Sequence, residues 1–599
     1  MTVLIRSMLS AWLVLAPPGA LSPAPPEGGE VAAARKLFEA NLEAIRRRDR
    51  AAYLACYLES ETLARTGSGG IALGFGDLAK SAGENWPDTF DASDLQLVPV
   101  KPGLVYGTYR YRVRYGAEEQ AGLSERLFVS TPAGWKIAMT SAFQAPSGTP
   151  PAPRALVGAT LVDGTGGPPV PGATVVVREG KILCAGKGCE VPAGMTAIDA
   201  RGSWITPGLV DAHVHFGQTG WADGRPDAFD VRDRYPYERV VAGLAANPER
   251  WFRSQLCSGT TAVFDVGGYA WSLGMAKQWA GDTRAPHVAA AGPLLSTLDF
   301  WLNLPGERQF LFLENPDSAR AGVRYLKERG ADAVKLWYIV TPQRSVEDSA
   351  PSVLAAGEAA KAQGLPLIVH ATGLAEAKVA LRAGAKLLVH GVIDRPVDEE
   401  FIRLARAAGT IYCPTLMVFS GYLRMSEALA ARKAPALDDP NGCVDAGTRA
   451  KLEETARLRP PENLAANAES GRARLATIER FGPANLKAVA AAGISIAMGT
   501  DAGNPLTLHG PSVYAEMEGM QRAGMTPMQV LVAATRGGSR AMGREKEFGT
   551  IEKGKAADLL VVAADPTADV AHLRQVRYVV RGGVVRSIEE LRAVVAAAK

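Results

Sequence analysis

Seven histidines occur in the 599-residue chain, and four of them end apolar runs. "LVDAHVHF" carries His213 and His215, "LPLIVHA" carries His370, and "KLLVHG" carries His390. Two more runs hold a charged residue of interest: Lys335 in "DAVKLWY" and Asp501 at the close of "ISIAMGTD". Residues i and i+2 of a strand share a face, so His213 and His215 aim the same way. Imidazoles and a carboxylate bind zinc and related divalent ions at neutral pH. Two such ions about 3.5–4 Å apart activate a water and polarise a carbonyl together. Four histidines and one aspartate are few ligands for two ions. Lys335 as an ammonium adds none, and buried alone it would be costly. Combined with CO2 as a carbamate, it becomes an anionic ligand able to reach both ions. An internal ion pair is the alternative for Lys335. Asp501, taken alone, could cap a helix at "AGNP".

For these side chains to meet, their strands must lie side by side and end at one edge. Eight strand candidates alternate with helical patterns, near residues 209–216, 261–267, 287–295, 332–338, 365–371, 386–391, 410–416 and 494–501. This alternation predicts an α/β fold, a (β/α)8 TIM barrel over residues 207–547, with its site at the C-terminal strand ends. The long interval between the last two candidates reads as a mostly helical insertion, with "RPPENLAANAESGR" as a surface loop. Residues 155–206 and 548–590 are β-rich with glycine turns. They are expected to pair as one small composite β-sandwich.

The N-terminal stretch "MTVLIRSMLSAWLVLAPPGA" has one Arg, a short apolar run, then Pro, Gly and Ala. It reads as a signal peptide over residues 1–25, so the protein is expected to be exported, periplasmic or secreted. The run is short for a bilayer span, and no membrane association is expected after its removal. Residues 30–146 begin helical and turn to short alternating strands, a small α+β domain closed by the linker "APSGTPPAPR". Basic and acidic residues nearly balance at 66 and 62, for a net charge of +4. No Lys/Arg block interleaved with aromatics appears, so a nucleic-acid partner is not expected. None of the six cysteines forms a C-x-x-C pair. Cys184 and Cys189 are close enough to bridge a turn in an exported protein, whereas Cys257 and Cys413 read as inert core thiols.

Two resemblances add to this reading. The N-terminal region resembles the NTF2-like (SnoaL-like) cone fold in its helix-then-strand order, in "RDRAAYLACY" and in "GWKIAMTSAF". This implies ligand binding or assembly, with a homo-oligomer as one form. Residues 155–590 resemble the amidohydrolase superfamily in "ITPGLVDAHVHF", "GTTAVFDVGG", "GADAVKLW", "LIVHATG", "LLVHG", "MGTDAG" and "GTIEKGKAADLLVV". "HGPSVYAEMEGMQRAGMTPMQVLVAAT" looks most like the imidazolonepropionase-related branch that contains prolidase-like dipeptidases.

The superfamily resemblance implies that His213, His215 and Asp501 hold the more buried of two divalent ions, with zinc expected. His370 and His390 would hold the other, and carbamylated Lys335 would bridge them with a hydroxide. Asp501 would take the proton of the attacking water and pass it to the leaving amine. The implied reaction is hydrolysis of an amide carbon–nitrogen bond in a small molecule, a dipeptide or N-acyl amino acid.

Tyr338, Arg344 and His509 are candidate substrate contacts, Arg344 through a bidentate carboxylate pair. Trp337 is a candidate pocket residue. The aromatic and Asp-rich loop after the first strand is a candidate lid or specificity wall.

Rival readings remain. Deaminases with this pattern carry Glu three residues after the fifth-strand His, where this chain has Gly373. An imidazolonepropionase-like site works with one metal and lacks the strand-four lysine. A cyclic amide hydrolase or a lactonase/esterase would attack a carbonyl in the same way. An inactive barrel with a ligand-binding N-terminal domain is the non-enzyme reading, weakened by the intact set of six site residues.

Overall fold

A computed structural model of the protein describes residues 29–67, 70–115, 118–144, 154–460 and 464–597. The proposed signal peptide and most of the linker "APSGTPPAPR" lie outside the described residues. The chain divides into two compact units, Met1–Ser147 and Gly148–Lys599.

The first unit opens with the helix Gly29–Arg46, which buries Ala34, Phe38, Leu42 and Ile45 at helical spacing. Asp49 caps the short helix Arg50–Ala55 by accepting from the Ala52 amide at 3.0 Å. Four long antiparallel strands follow: Thr89–Lys101, Leu104–Tyr115, Glu118–Thr131 and Gly134–Gln144. A hairpin of Ala64–Gly67 and Gly70–Leu73, not read from the sequence, completes a six-stranded sheet. In Leu104–Tyr115 alternate residues turn inward, so Val105 and Tyr109 join Phe38, Phe128 and Ile137 in one apolar cluster. Arg126 also faces inward and is 3% exposed. It donates to Asn41 Oδ1 at 2.5 Å and to the Tyr109 hydroxyl at 2.9 Å. Its guanidinium lies over the rings of Phe38 and Tyr109.

The second unit is a mixed α/β structure. The β-rich segments before and after its α/β region, expected as a sandwich, contribute eight strands to one sheet. They join where Trp204–Pro207 runs antiparallel to Leu559–Val562. Leu156, Val175, Ile205, Val561 and Val580 share one apolar cluster across its strands.

Between these segments lie two parallel sheets. One holds Leu209–Val214, Thr260–Asp265 and His287–Ala290. The other is ordered Phe310–Phe312, Leu294–Ser296, Val334–Trp337, Leu367–His370, Ala385–Val389 and Ile411–Cys413. These strands are almost wholly buried, as their apolar runs require.

The expected eight strands do not form one closed ladder. The third candidate is broken: 287–290 pairs with the second strand, and 294–296 pairs with the Lys335 strand. Gly292, at φ +68°, turns the chain between the halves. The eighth candidate makes only isolated bridges, Tyr412↔Ile496 and Val214↔Ala502. Its backbone still runs between the two sheets. Ala497 N donates to Tyr412 O at 3.0 Å, Ala212 N to Met498 O at 3.0 Å, and Asp501 N to His213 O at 2.7 Å. Gly499 permits this approach, because a Cβ there would lie 2.6 Å from both Cys413 Sγ and His213 Cβ.

Two further expectations are corrected. From Leu464 onward the segment read as a surface loop is helical, part of the helix Leu464–Ala491, whose Ala, Leu, Glu and Arg content favours that form. Cys257 is not a free thiol: it is bonded to Cys443, 186 residues away. Its apolar surroundings suit a half-cystine as well as a thiol. Cys184 and Cys189 are also bonded, whereas Cys56 and Cys413 are buried and free.

Candidate active site

His213, His215, Lys335, His370, His390 and Asp501 all line one cavity of about 620 Å³ at the C-terminal ends of the parallel strands. His213 Nε2 and His215 Nε2 lie 3.3 and 3.0 Å from Asp501 Oδ1, and His390 Nε2 lies 3.6 Å from Asp501 Oδ2. The ring of His370 sits 4.3 Å from that of His390, centroid to centroid. Each group is aimed by its surroundings. His215 Nδ1 donates to the Gly267 carbonyl at 2.7 Å, which turns the Nε2 lone pair toward Asp501. Asp211 accepts from Thr500 N, Thr500 Oγ1 and His213 N at 3.0, 2.6 and 3.2 Å, tying the first and last strand ends together. His390 and Asp501 take left-handed backbone angles, φ 66° and 63°, uncommon for residues with side chains and frequent at functional sites.

Burial drives the electrostatics. It pushes His213 and His370 well below the usual imidazole range and His390 to about 4, so these rings are neutral near pH 7. Burial opposes ionisation of Asp501, but His213, His215 and His390 hold its carboxyl well below the usual range. Burial raises Asp211 to about 7 and Asp265 to about 6. Lys335, 1% exposed, is pushed down to about 8. It makes no ion pair among the described residues, so the structure gives the internal ion-pair reading no partner.

The donor set fits a divalent ion. The ligand atoms of His213, His215 and Asp501 lie within 4.8 Å of one another. His213 Nε2 and Asp501 Oδ1 are buried without hydrogen-bond partners, as is His390 Nδ1. Neutral imidazoles around a carboxylate are the ligand forms that zinc and its neighbours take.

The three expected substrate contacts lie elsewhere; none lines the cavity. Arg344 is spent on backbone carbonyls, donating to Thr297 O at 2.9 Å and to Leu313 O. The Tyr338 hydroxyl donates to Val346 O at 3.2 Å. The buried His509 ring stacks on Trp251 at 4.3 Å, with Nε2 3.3 Å from the Gln218 carbonyl.

Trp337 does line the cavity, joined by Phe229, Phe310, Phe419 and Tyr422. Arg225 and Arg474 bring positive charge to it. Arg225 is engaged by Asp227 at 2.8 and 2.6 Å and by Asn504 Oδ1 at 2.6 Å. Of these added residues, Arg225 and Phe229 belong to the loop read as a wall. Phe419 and Tyr422 were open to the strand-end rule, standing i and i+3 in the helix Val418–Ala431, which follows a strand end.

Neutral imidazoles and an ionised aspartate gathered at parallel strand ends, above a cavity, make a site suited to metal-assisted hydrolysis. The chain belongs to the amidohydrolase family, whose model matches residues 204–586, and is therefore a hydrolase acting on carbon–nitrogen bonds. It is 23% identical to ochratoxinase of Aspergillus niger over 460 residues, 70% of this chain and 83% of that protein. It is 26% identical to imidazolonepropionase of a Methylobacterium species over 448 residues, 69% and 93% of the two chains. Among solved structures it resembles a Xaa-Pro dipeptidase with bound methionine, at TM-score 0.55 and 24% identity, over 73% of this chain and all of the other.

Proposed function

We propose that the protein is a binuclear metal hydrolase that cleaves the amide bond of a dipeptide or N-acyl amino acid. Lys335 carries this reading. It is buried on the strand that pairs with the His370 strand, makes no ion pair among the described residues, and is shifted to about 8. A lysine easily neutralised can add CO2, and the resulting carbamate supplies the anion that two cations need. Two divalent ions, zinc as the expected pair, would polarise the scissile carbonyl and lower the pKa of water when bound. His213, His215 and Asp501 would hold one ion, His370 and His390 the other, with Lys335 shared.

Asp501 takes the proton of the attacking water and delivers it to the leaving nitrogen. Burial makes His213 and His370 weak bases, so they do not compete with Asp501 for that proton. Trp337, Phe310 and Phe419 shield the reacting bond from bulk water. The two parallel sheets and the segment between them are read as a distorted (β/α)8 barrel. Relatives named for dipeptide and ochratoxin hydrolysis support the substrate class. Two disulfides support the export reading, since such bonds persist in oxidising compartments. The N-terminal unit is read as an NTF2-like module for ligand binding or assembly.

The test is metal analysis of protein prepared without chelator, with a screen of Xaa-Pro, Xaa-Arg and N-acyl amino acids. About two ions per chain and release of free amino acids are expected. Zinc-loaded protein that cleaves none of these compounds would overturn the substrate class.

A further inference from the structure

The cavity has charge at two levels. Its floor holds Lys335 and Asp501 among the histidines, and its wall holds Arg225 and Arg474. Arg225 is neutralised by Asp227. Arg474, from the helix Leu464–Ala491, has no such partner: it makes no ion pair among the described residues. Its guanidinium lies 4.3 Å from the centre of the Phe419 ring, and that ring lies 6.1 Å from the ring of His390. Phe419 therefore lies close both to the Arg474 guanidinium and to a histidine of the floor. The lining carboxylates are Asp227, already engaged, and Asp501 on the floor. Among the described residues, a substrate anion meets positive charge at Arg474 with no lining carboxylate paired to it.

We propose that Arg474 anchors the free carboxylate of the substrate. The inference rests on the amide-hydrolase reading and specifies which amide is cleaved. In an N-acyl amino acid the carboxylate carbon is three bonds from the scissile carbonyl carbon. With the carbonyl at the floor, the carboxylate extends toward Arg474, which offers paired N–H donors in the geometry a carboxylate accepts. The acyl group or side chain lies against Phe229, Phe310, Trp337 and Tyr422. Water adds across one bond: the C–N bond breaks, the carbonyl carbon keeps the water oxygen as a carboxylate, and the nitrogen leaves as the amine of a free amino acid. The enzyme removes a single C-terminal residue and leaves C-terminal amides uncut.

The probes are N-benzoyl-L-phenylalanine and its C-terminal amide, N-benzoyl-L-phenylalaninamide. Calorimetric Kd is measured on metal-free protein, and KM and kcat on zinc-loaded protein. Wild type is expected to bind the acid at least about 10-fold more tightly than the amide, the scale of one charge-assisted pair. Arg474→Met should erase that difference by weakening the acid alone, and Arg474→Lys should keep part of it. On turnover, Arg474→Met should raise KM for the acid with kcat little changed. Equal wild-type binding of acid and amide, absence of binding to either, or an acid preference that survives in Arg474→Met would each overturn the anchor. Acid preference without hydrolysis would instead sink the amide-hydrolase reading and leave the anchor standing.

Discussion

Arg126 and Lys335 are both cationic side chains folded into an apolar interior, one in each unit, and they are held in opposite ways. Arg126 is enclosed by an amide oxygen, a phenol and two ring faces that hold its two terminal nitrogens, while its Nε is buried without a partner. Lys335 has no such cage, and its proton is loosened to about 8. A guanidinium cannot give up its proton under ordinary conditions, so burying one demands partners for good. An amine can lose its proton and become a nucleophile toward CO2. The difference separates a cation that holds a fold together from one available for chemistry.

The strongest way to break this contrast is Lys335→Ala. It should lower kcat/KM by about 1000-fold or more and reduce bound metal, as the bridging role proposed for Lys335 requires. Partial return of activity with a small carboxylic acid would sharpen the contrast. Full activity in the variant would erase it.

The next effect is on stability. In metal-free, CO2-depleted protein, Lys335 binds its proton more weakly in the folded chain than in the unfolded one, whose lysine titrates near 10.5. Below about pH 8 the folded state therefore carries the full cost of a buried ammonium. Stability should rise as pH climbs from about 8 to 10.5, by about 3 kcal/mol in total. Urea unfolding of wild type and Lys335→Met across that window would show a slope in the first that is reduced in the second. Parallel curves would mean that the lysine is as well solvated as an exposed one.

The smallest effect belongs to Arg126. Asn41→Ala removes one acceptor and leaves a second buried guanidinium nitrogen unpaired, a loss of about 2 kcal/mol in urea unfolding. Hydrolysis should be unchanged. A loss of kcat without a loss of stability would give Arg126 the chemical role assigned to Lys335.

The floor of the cavity was legible in the sequence and its wall only in part, through Trp337 and the loop that holds Arg225 and Phe229. His213, His215, His370, His390 and Asp501 each close an apolar run, and strand ends in such folds converge. The wall is assembled from Phe229, from Phe419 and Tyr422, and from Arg474, drawn from three separate segments. No periodicity links the three segments to one another, because they meet only through packing. Arg344 shows the converse. Its charge was visible, but the carbonyls of Thr297 and Leu313 that claim it were not. The α/β alternation was readable too. The break at Gly292 and the bridging form of 494–501 depend on how closely the sheets approach, which a strand pattern does not encode.

The bond between Cys257 and Cys443 has a topological consequence. It closes the chain into a covalent ring that contains the parallel strands from Thr260–Asp265 to Ile411–Cys413. His370, His390 and Lys335 lie inside the ring, whereas His213, His215 and Asp501 lie on its two tails. A chain cross-linked over 186 residues loses unfolded-state entropy worth about 5 kcal/mol in the loop-closure picture. The site is thus gathered from a loop that oxidation ties off and from two ends that must be threaded against it.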